Sequence, residues 1–242
     1  MPADFFGWVG YLVQNDWSLY LYGVRFTLIL SIVGTLLGLL IGLVLGTFRA
    51  LAVANAYDSS ARKFTKHLTD WVIKIYVWVF RGSPMMVQAI LIYYALKPFL
   101  HWDALVAGLA VISINTGAYM VEIIRSGIQA VPHGQNEAAL TVGMTEIQAY
   151  SHIILPQALI NTFPSIGNQL IVNIKDSSML NVIGVIELFF QTTSVAGTYM
   201  RYIESFAIAT VLYLLLTSFF TWILNLIERK ISGGQALRLE MV

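Results

Sequence analysis

Long apolar runs separated by short polar stretches dominate the chain, and their lengths decide what they are. The hydrocarbon core of a bilayer is about 30 Å thick, so a helical span needs about 20 predominantly apolar residues. The runs near 21–48, 104–125, 158–175 and 206–229 meet or approach that length. A fifth, 68–97, is interrupted by Lys74, Arg81 and the triplet Gly82, Ser83, Pro84. As one straight helix it would reach about 45 Å, longer than the hydrocarbon, so it predicts a kinked or broken span. The pattern as a whole predicts an all-α, polytopic membrane protein with five transmembrane helices. It forms a single domain over 1–242, with its termini on opposite sides of the bilayer.

Within the first run Gly34, Gly38, Gly42 and Gly46 recur at every fourth position, which places them on one helix face and lets a second backbone approach closely. Upstream, residues 4–20 carry Trp8, Tyr11 and Trp17 and suit an amphipathic interfacial helix. Composition agrees with the runs: 57% of residues are hydrophobic and 11% charged, and the mean hydropathy is +0.72. So few charges would not cover a soluble globule of this size. The net charge of +1 offers no clustered basic face for nucleic acid. Cysteine is absent, which excludes disulfide and thiolate chemistry. Asp4 and the lack of a basic residue before the first apolar stretch argue against a cleaved signal peptide.

Lys and Arg residues set the expected orientation. Arg49, Arg62, Lys63, Lys66, Arg125, Arg229, Lys230 and Arg238 fall on one side of the predicted spans, and Arg25, Lys97, Lys175 and Arg201 on the other. The larger set marks the cytoplasmic side. The N-terminus is then outside and the C-terminus in the cytoplasm.

Residues 132–156 lie between the third and fourth spans, on the cytoplasmic side. Pro132, His133 and Gly134 break the chain, and Glu137, Ala138, Ala139 and Leu140 begin a helix-forming run. Gly143 ends it at a bend, and Thr145 with Gln148 has capping-box spacing for a second helix. In that second helix Ile147, Tyr150, Ile153 and Ile154 form an apolar face, and Pro156 is expected to close the motif before the next span. Glu137, Ala138, Ala139, then Gly143, then Ile153, Leu155 and Pro156 together resemble the EAA signature of the membrane subunits of bacterial ATP-binding cassette (ABC) importers. FRGSPMMVQ at 80–88, GAYMVEIIRSGIQAVPHGQNEAA at 117–139 and KDSSMLNVIGVIEL at 175–188 are similar to the permeases for polar amino acids.

The resemblance implies a non-catalytic permease subunit in the cytoplasmic membrane of a bacterium. Its EAA residues Glu137, Ala138, Ala139, Gly143, Ile153, Leu155 and Pro156 would engage a separate ABC-type ATPase subunit, which would hold the ATP and Mg. This chain would bind no cofactor itself. The other implied partners are a second permease chain, identical or homologous, and an extracytoplasmic amino acid binding protein.

Polar groups inside spans either line a cavity or hold helices together. Asn115, Tyr119 and Glu122 fall along one line of the third span. On the fourth, Asn161, Ser165, Asn168, Gln169 and Asn173 lead towards Lys175 and Asp176. As a substrate site, Asp176 and Glu122 would take the ammonium of an amino acid, and the amides and hydroxyls, or a helix terminus, its carboxylate. Glu122 has Arg125 three residues on as a competing structural partner. Arg81 either faces a cavity or caps the preceding helix, and Gln88 is a second pathway candidate. Glu187 is expected at an outer gate or at a contact with the delivering protein. No G-x-x-x-x-G-K-[ST] phosphate loop occurs, and the four His residues have no metal-ligand spacing. An ion-gradient-driven secondary transporter is the alternative reading, and the internal repeat that class favours is not evident.

Overall fold

The computed structural model describes residues 2–51 and 59–239, with side chains described as far as Ile231. Arg238, part of the charge balance above, lies outside the described side chains. All regular structure among the described residues is helical.

Helix α1, Phe5–Leu51, runs without interruption through both the expected interfacial helix and the first span. The expected boundary near residue 20 is absent. Its 47 residues extend about 70 Å, so more than half of the helix lies beyond the hydrocarbon. The leading part is held by packing: Leu12 and Tyr20 are buried in one cluster with Leu188, Val195 and Ile208.

Helices α2, Ser60–Gly82, and α3, Met85–Leu100, meet at an angle of 112°. The break falls at Ser83 and Pro84, as the triplet predicts, but it makes two helices rather than one kinked rod. Helix α4, Ala104–Gln129, starts from an Asp103 N-cap whose carboxylate accepts from Val106 N at 2.8 Å. It packs parallel to α1. Gly34, Gly38, Gly42 and Gly46 of α1 meet Ile112, Thr116, Met120 and Ile124 of α4 in turn. A Cβ added at Gly38 would lie 2.6 Å from Thr116 Cγ2. The glycine stripe is therefore the contact that sets the distance between the two helices.

The segment after α4 holds α5, His133–Thr141, and the one-turn α6, Glu146–Ala149. A π-helical turn, Tyr150–Ile154, joins α6 to α7, Leu155–Asp176, with no break. Pro156 was expected to end the motif; it sits instead in the first turn of α7. A proline is tolerated there, because it lacks the N–H that a regular i−4 bond would need and the wide π-turn before it keeps its ring clear of a normal i−4 carbonyl. Helix α7 returns antiparallel to α4, with Gly127 against Ala158 and Thr162. A 3₁₀ segment, Ser177–Ile183, leads to α8, Leu188–Tyr199, bent by 57° from the preceding rod. Helix α9, Tyr202–Leu239, runs back along α7.

Among the described residues three helices, α1, α4 and α9, are each long and apolar enough to cross a membrane. Counting each bent pair as one crossing gives five.

Candidate functional site

The polar residues predicted on one face of α7 divide into two stripes. Gln169 and Asn173 face the bundle. Asn173 Nδ2 donates to Thr35 Oγ1 at 2.8 Å and to Thr116 Oγ1 at 3.0 Å, while Thr116 Oγ1 donates to Asn173 Oδ1 at 3.1 Å. Gln169 Nε2 reaches the same Asn173 oxygen at 3.4 Å. Asn173 is fully buried and joins α1, α4 and α7, so it is a fastening and not a substrate ligand. Asn161, Ser165 and Asn168 lie on the other stripe, exposed and without side-chain partners among the described residues. That stripe runs on to Lys175, also exposed, and to half-buried Asp176.

Asn115, Tyr119 and Glu122 share a line on α4 but not a site. Asn115 is buried and donates to Gln88 Oε1 at 2.9 Å and to Phe80 O at 3.1 Å. Gln88 in turn donates to Phe80 O and Ser83 O, both at 2.9 Å. Together they satisfy the carbonyls freed by the α2–α3 break, which removes both from the list of exposed pathway groups. Tyr119 carries the exposed Arg81 over its ring, 5.2 Å from the centroid. Glu122 bonds Arg49 and, at 2.8 Å, Arg125. Arg49 also reaches Asp70 at 3.3 Å, and Asp70 pairs with Lys74 at 2.6 Å. Glu122 is thus spent on an ion-pair network joining α1, α2 and α4, as the competing partner Arg125 foretold, and is not available for a substrate ammonium.

Glu187 is fully buried, so a direct contact with a delivering protein is ruled out. It caps α8 by accepting from Phe190 N at 2.8 Å, and it accepts from Tyr213 OH at 3.0 Å and Thr27 Oγ1 at 3.3 Å. The cap ties α8 to α1 and α9.

In the 132–156 segment the Thr145–Gln148 capping box is present. Gly143 has φ +86°, a left-handed conformation that glycine adopts without Cβ strain. The seven EAA residues do not share one face. Glu137, Ala138 and Gly143 are exposed, whereas Ala139 is buried. Ile153 and Leu155 pack on a cluster of Val131, Tyr150, Ile154 and Ala158, against the bundle itself. The Tyr150 and Thr47 hydroxyls are 2.9 Å apart. Three of the four residues of the apolar face expected to seek a partner, Tyr150, Ile153 and Ile154, are therefore used internally. The fourth, Ile147, surrounds the Gly143 bend together with Leu140 and Val142, which the expected face did not include, the three exposed by 67%, 41% and 78%. Their position on either side of that glycine was the available signal.

Residues 59–233 match the model of the family described as binding-protein-dependent transport system inner membrane component. The chain belongs to that family. It is an ABC importer permease subunit, a non-catalytic multi-pass membrane component. It is 34% identical to the glutamine transport system permease protein GlnP of Escherichia coli K12, over 90% of this chain and 98% of that one. It is 39% identical to the probable amino-acid permease protein YxeN of Bacillus subtilis, over 66% of this chain and 73% of that one. A crystal structure of an amino acid ABC transporter with histidines superposes with a TM-score of 0.78 at 36% identity, covering 95% of this permease and all of that chain. The inward-facing MetNI methionine ABC transporter shares the fold at a TM-score of 0.73 and 20% identity, over 90% and 98% of the two chains.

Proposed function

We propose that this permease forms half of the pathway of an ATP-driven amino acid importer, and that a separate ATPase subunit grips it at the Leu140–Gly143–Ile147 bend. One observation carries the reading: three large apolar side chains stand exposed around a left-handed glycine, on a segment whose opposite face is fixed to the bundle. An exposed apolar knob with a rigid base suits docking into a groove of another subunit. The ATPase subunit would supply ATP and Mg, and this chain no cofactor.

The amino acid class follows from the names of the relatives, and the need for a second permease chain from the exposed polar stripe Asn161, Ser165, Asn168 of α7. In a span such groups need water or a partner chain. An identical or homologous permease facing this stripe would enclose an aqueous path. An extracytoplasmic binding protein would deliver the substrate, as the family description implies. The orientation is N-terminus outside and C-terminus cytoplasmic, so that Arg49 and the 132–156 segment lie on the ATPase side.

Reconstitution with a companion ATPase and binding protein tests the reading. Amino acid uptake into proteoliposomes should require ATP on the side of residue 142. Uptake driven by an imposed ion gradient without ATP would refute it.

A further inference from the structure

A groove opens between α7 and α9 at the outer end of the exposed α7 stripe. It consists of two adjoining hollows of about 310 and 580 Å³ that share Lys175, Leu214 and Thr217. Lys175 thus sits at the centre of the groove. Its side chain is exposed, and no carboxylate lies within ion-pair distance of it among the described residues, Asp176 included. The adjacent Asp176 carboxylate acts on it only through space, without a direct contact, and an ammonium lacking a contact ion pair in a segment of this kind calls for an anionic partner. A cation does suit the last turn of a helix, but that effect needs no groove.

The opposite wall is chemically matched. Thr210, Thr217, Thr221 and Asn225 recur along one line of α9, a helix whose other exposed side chains include Val211, Leu215, Phe219 and Leu226. The Thr217 and Thr221 hydroxyls donate to carbonyls one turn back, at 2.9 and 2.7 Å, so each oxygen keeps its lone pairs free to accept. One wall therefore offers a donor cation and the other a row of acceptors. That is the complement of a zwitterion, whose carboxylate seeks the first and whose ammonium seeks the second.

We propose that Lys175 binds the α-carboxylate of the transported amino acid within this groove, with the α9 hydroxyl line facing its ammonium. The inference rests on the amino acid importer reading and deepens it by placing the substrate's charged end. It assigns the carboxylate to an ammonium rather than to the amides, hydroxyls or helix terminus expected from the sequence.

The test measures equilibrium binding of radiolabelled L-glutamine, L-arginine and L-cystine to the solubilised complex of this permease with its ATPase subunit, without binding protein. At least one probe should bind the wild type, and the same amino acid with its α-carboxylate converted to the amide should bind about 10- to 100-fold more weakly, the loss expected for one charge-assisted contact. Lys175→Met should weaken the free amino acid by the same factor and leave the amide unaffected, whereas Lys175→Arg should retain most of the affinity. Three results would overturn the proposal: equal binding of acid and amide by the wild type, undiminished binding by Lys175→Met, or no binding of any probe. Separation of the paired permease chains in Lys175→Met alone would overturn it too, by assigning the ammonium to a carboxylate of the facing permease chain. ATP-dependent uptake by the wild type is scored separately, so that failure of the importer reading is told apart from failure of the Lys175 role.

Discussion

The hydroxyls of Tyr150 and Thr47, 2.9 Å apart, fasten the last turn of the EAA segment to the inner end of α1. Removing that bond in Tyr150→Phe keeps the ring in its apolar cluster and costs about 1 kcal/mol. The expected outcome is an intact complex in which more ATP is hydrolysed per amino acid accumulated, because the segment slips against the bundle. An unchanged ratio of hydrolysis to uptake would show that the bond is dispensable for transmission.

Val142→Asp and Ile147→Asp place charges in the proposed docking contact while touching nothing in the bundle. Each should reduce recovery of the ATPase subunit with the tagged permease by about tenfold, as a buried unpaired charge costs several kcal/mol at an interface. The permease itself should accumulate normally in the membrane. Gly143→Val should also weaken coupling, since a β-branched residue at φ +86° is strained by about 1–3 kcal/mol.

Gly38→Leu drives a side chain into Thr116 of α4 and should destabilise the fold by at least about 1–3 kcal/mol. Membrane abundance on immunoblots should fall sharply. Gly10→Ala, on the same helix with nothing within 4 Å of the new Cβ, should leave abundance unchanged.

Asn173→Ala and Glu187→Ala test fastening against substrate binding. The first leaves Thr35 and Thr116 without their buried partner at a cost of about 1–3 kcal/mol. The second removes the α8 cap, at a cost of about 0.5–2 kcal/mol. Both should lower the thermal unfolding midpoint of the solubilised complex, with amino acid affinity unaltered. A large affinity loss at normal stability in Asn173→Ala would return that residue to the substrate site.

The helical membrane class was legible because bilayer thickness sets the length of apolar runs, though α1 passes through the expected boundary near residue 20, and the capping box and Gly143 were legible because local backbone chemistry names its own residues. Facing was harder. Asn161, Ser165 and Asn168 lie only about 100° around α7 from Thr162, Gln169 and Asn173. Sequence alone does not say which of two neighbouring polar stripes meets Thr35 and Thr116. Likewise Glu122 and Asn115 are chemically fit for a ligand, and only the positions of Arg49 and Gln88, distant in sequence, show that they are already satisfied. Pro156 misled because a π-turn, invisible in propensities, lets the helix pass through it. The α9 threonine line was readable from its spacing but lay hidden within a run classed only as apolar.

That unbroken passage has a mechanical result. From Glu146 to Asp176 the chain is one rod, about 46 Å long at 1.5 Å per residue. Its inner tip carries Ile147 and its far end carries Lys175. On the proposed reading, a tilt imposed on the tip by a closing motor would swing the proposed amino acid berth as an oar blade answers its handle, any give in the stroke falling at the π-turn and at Pro164.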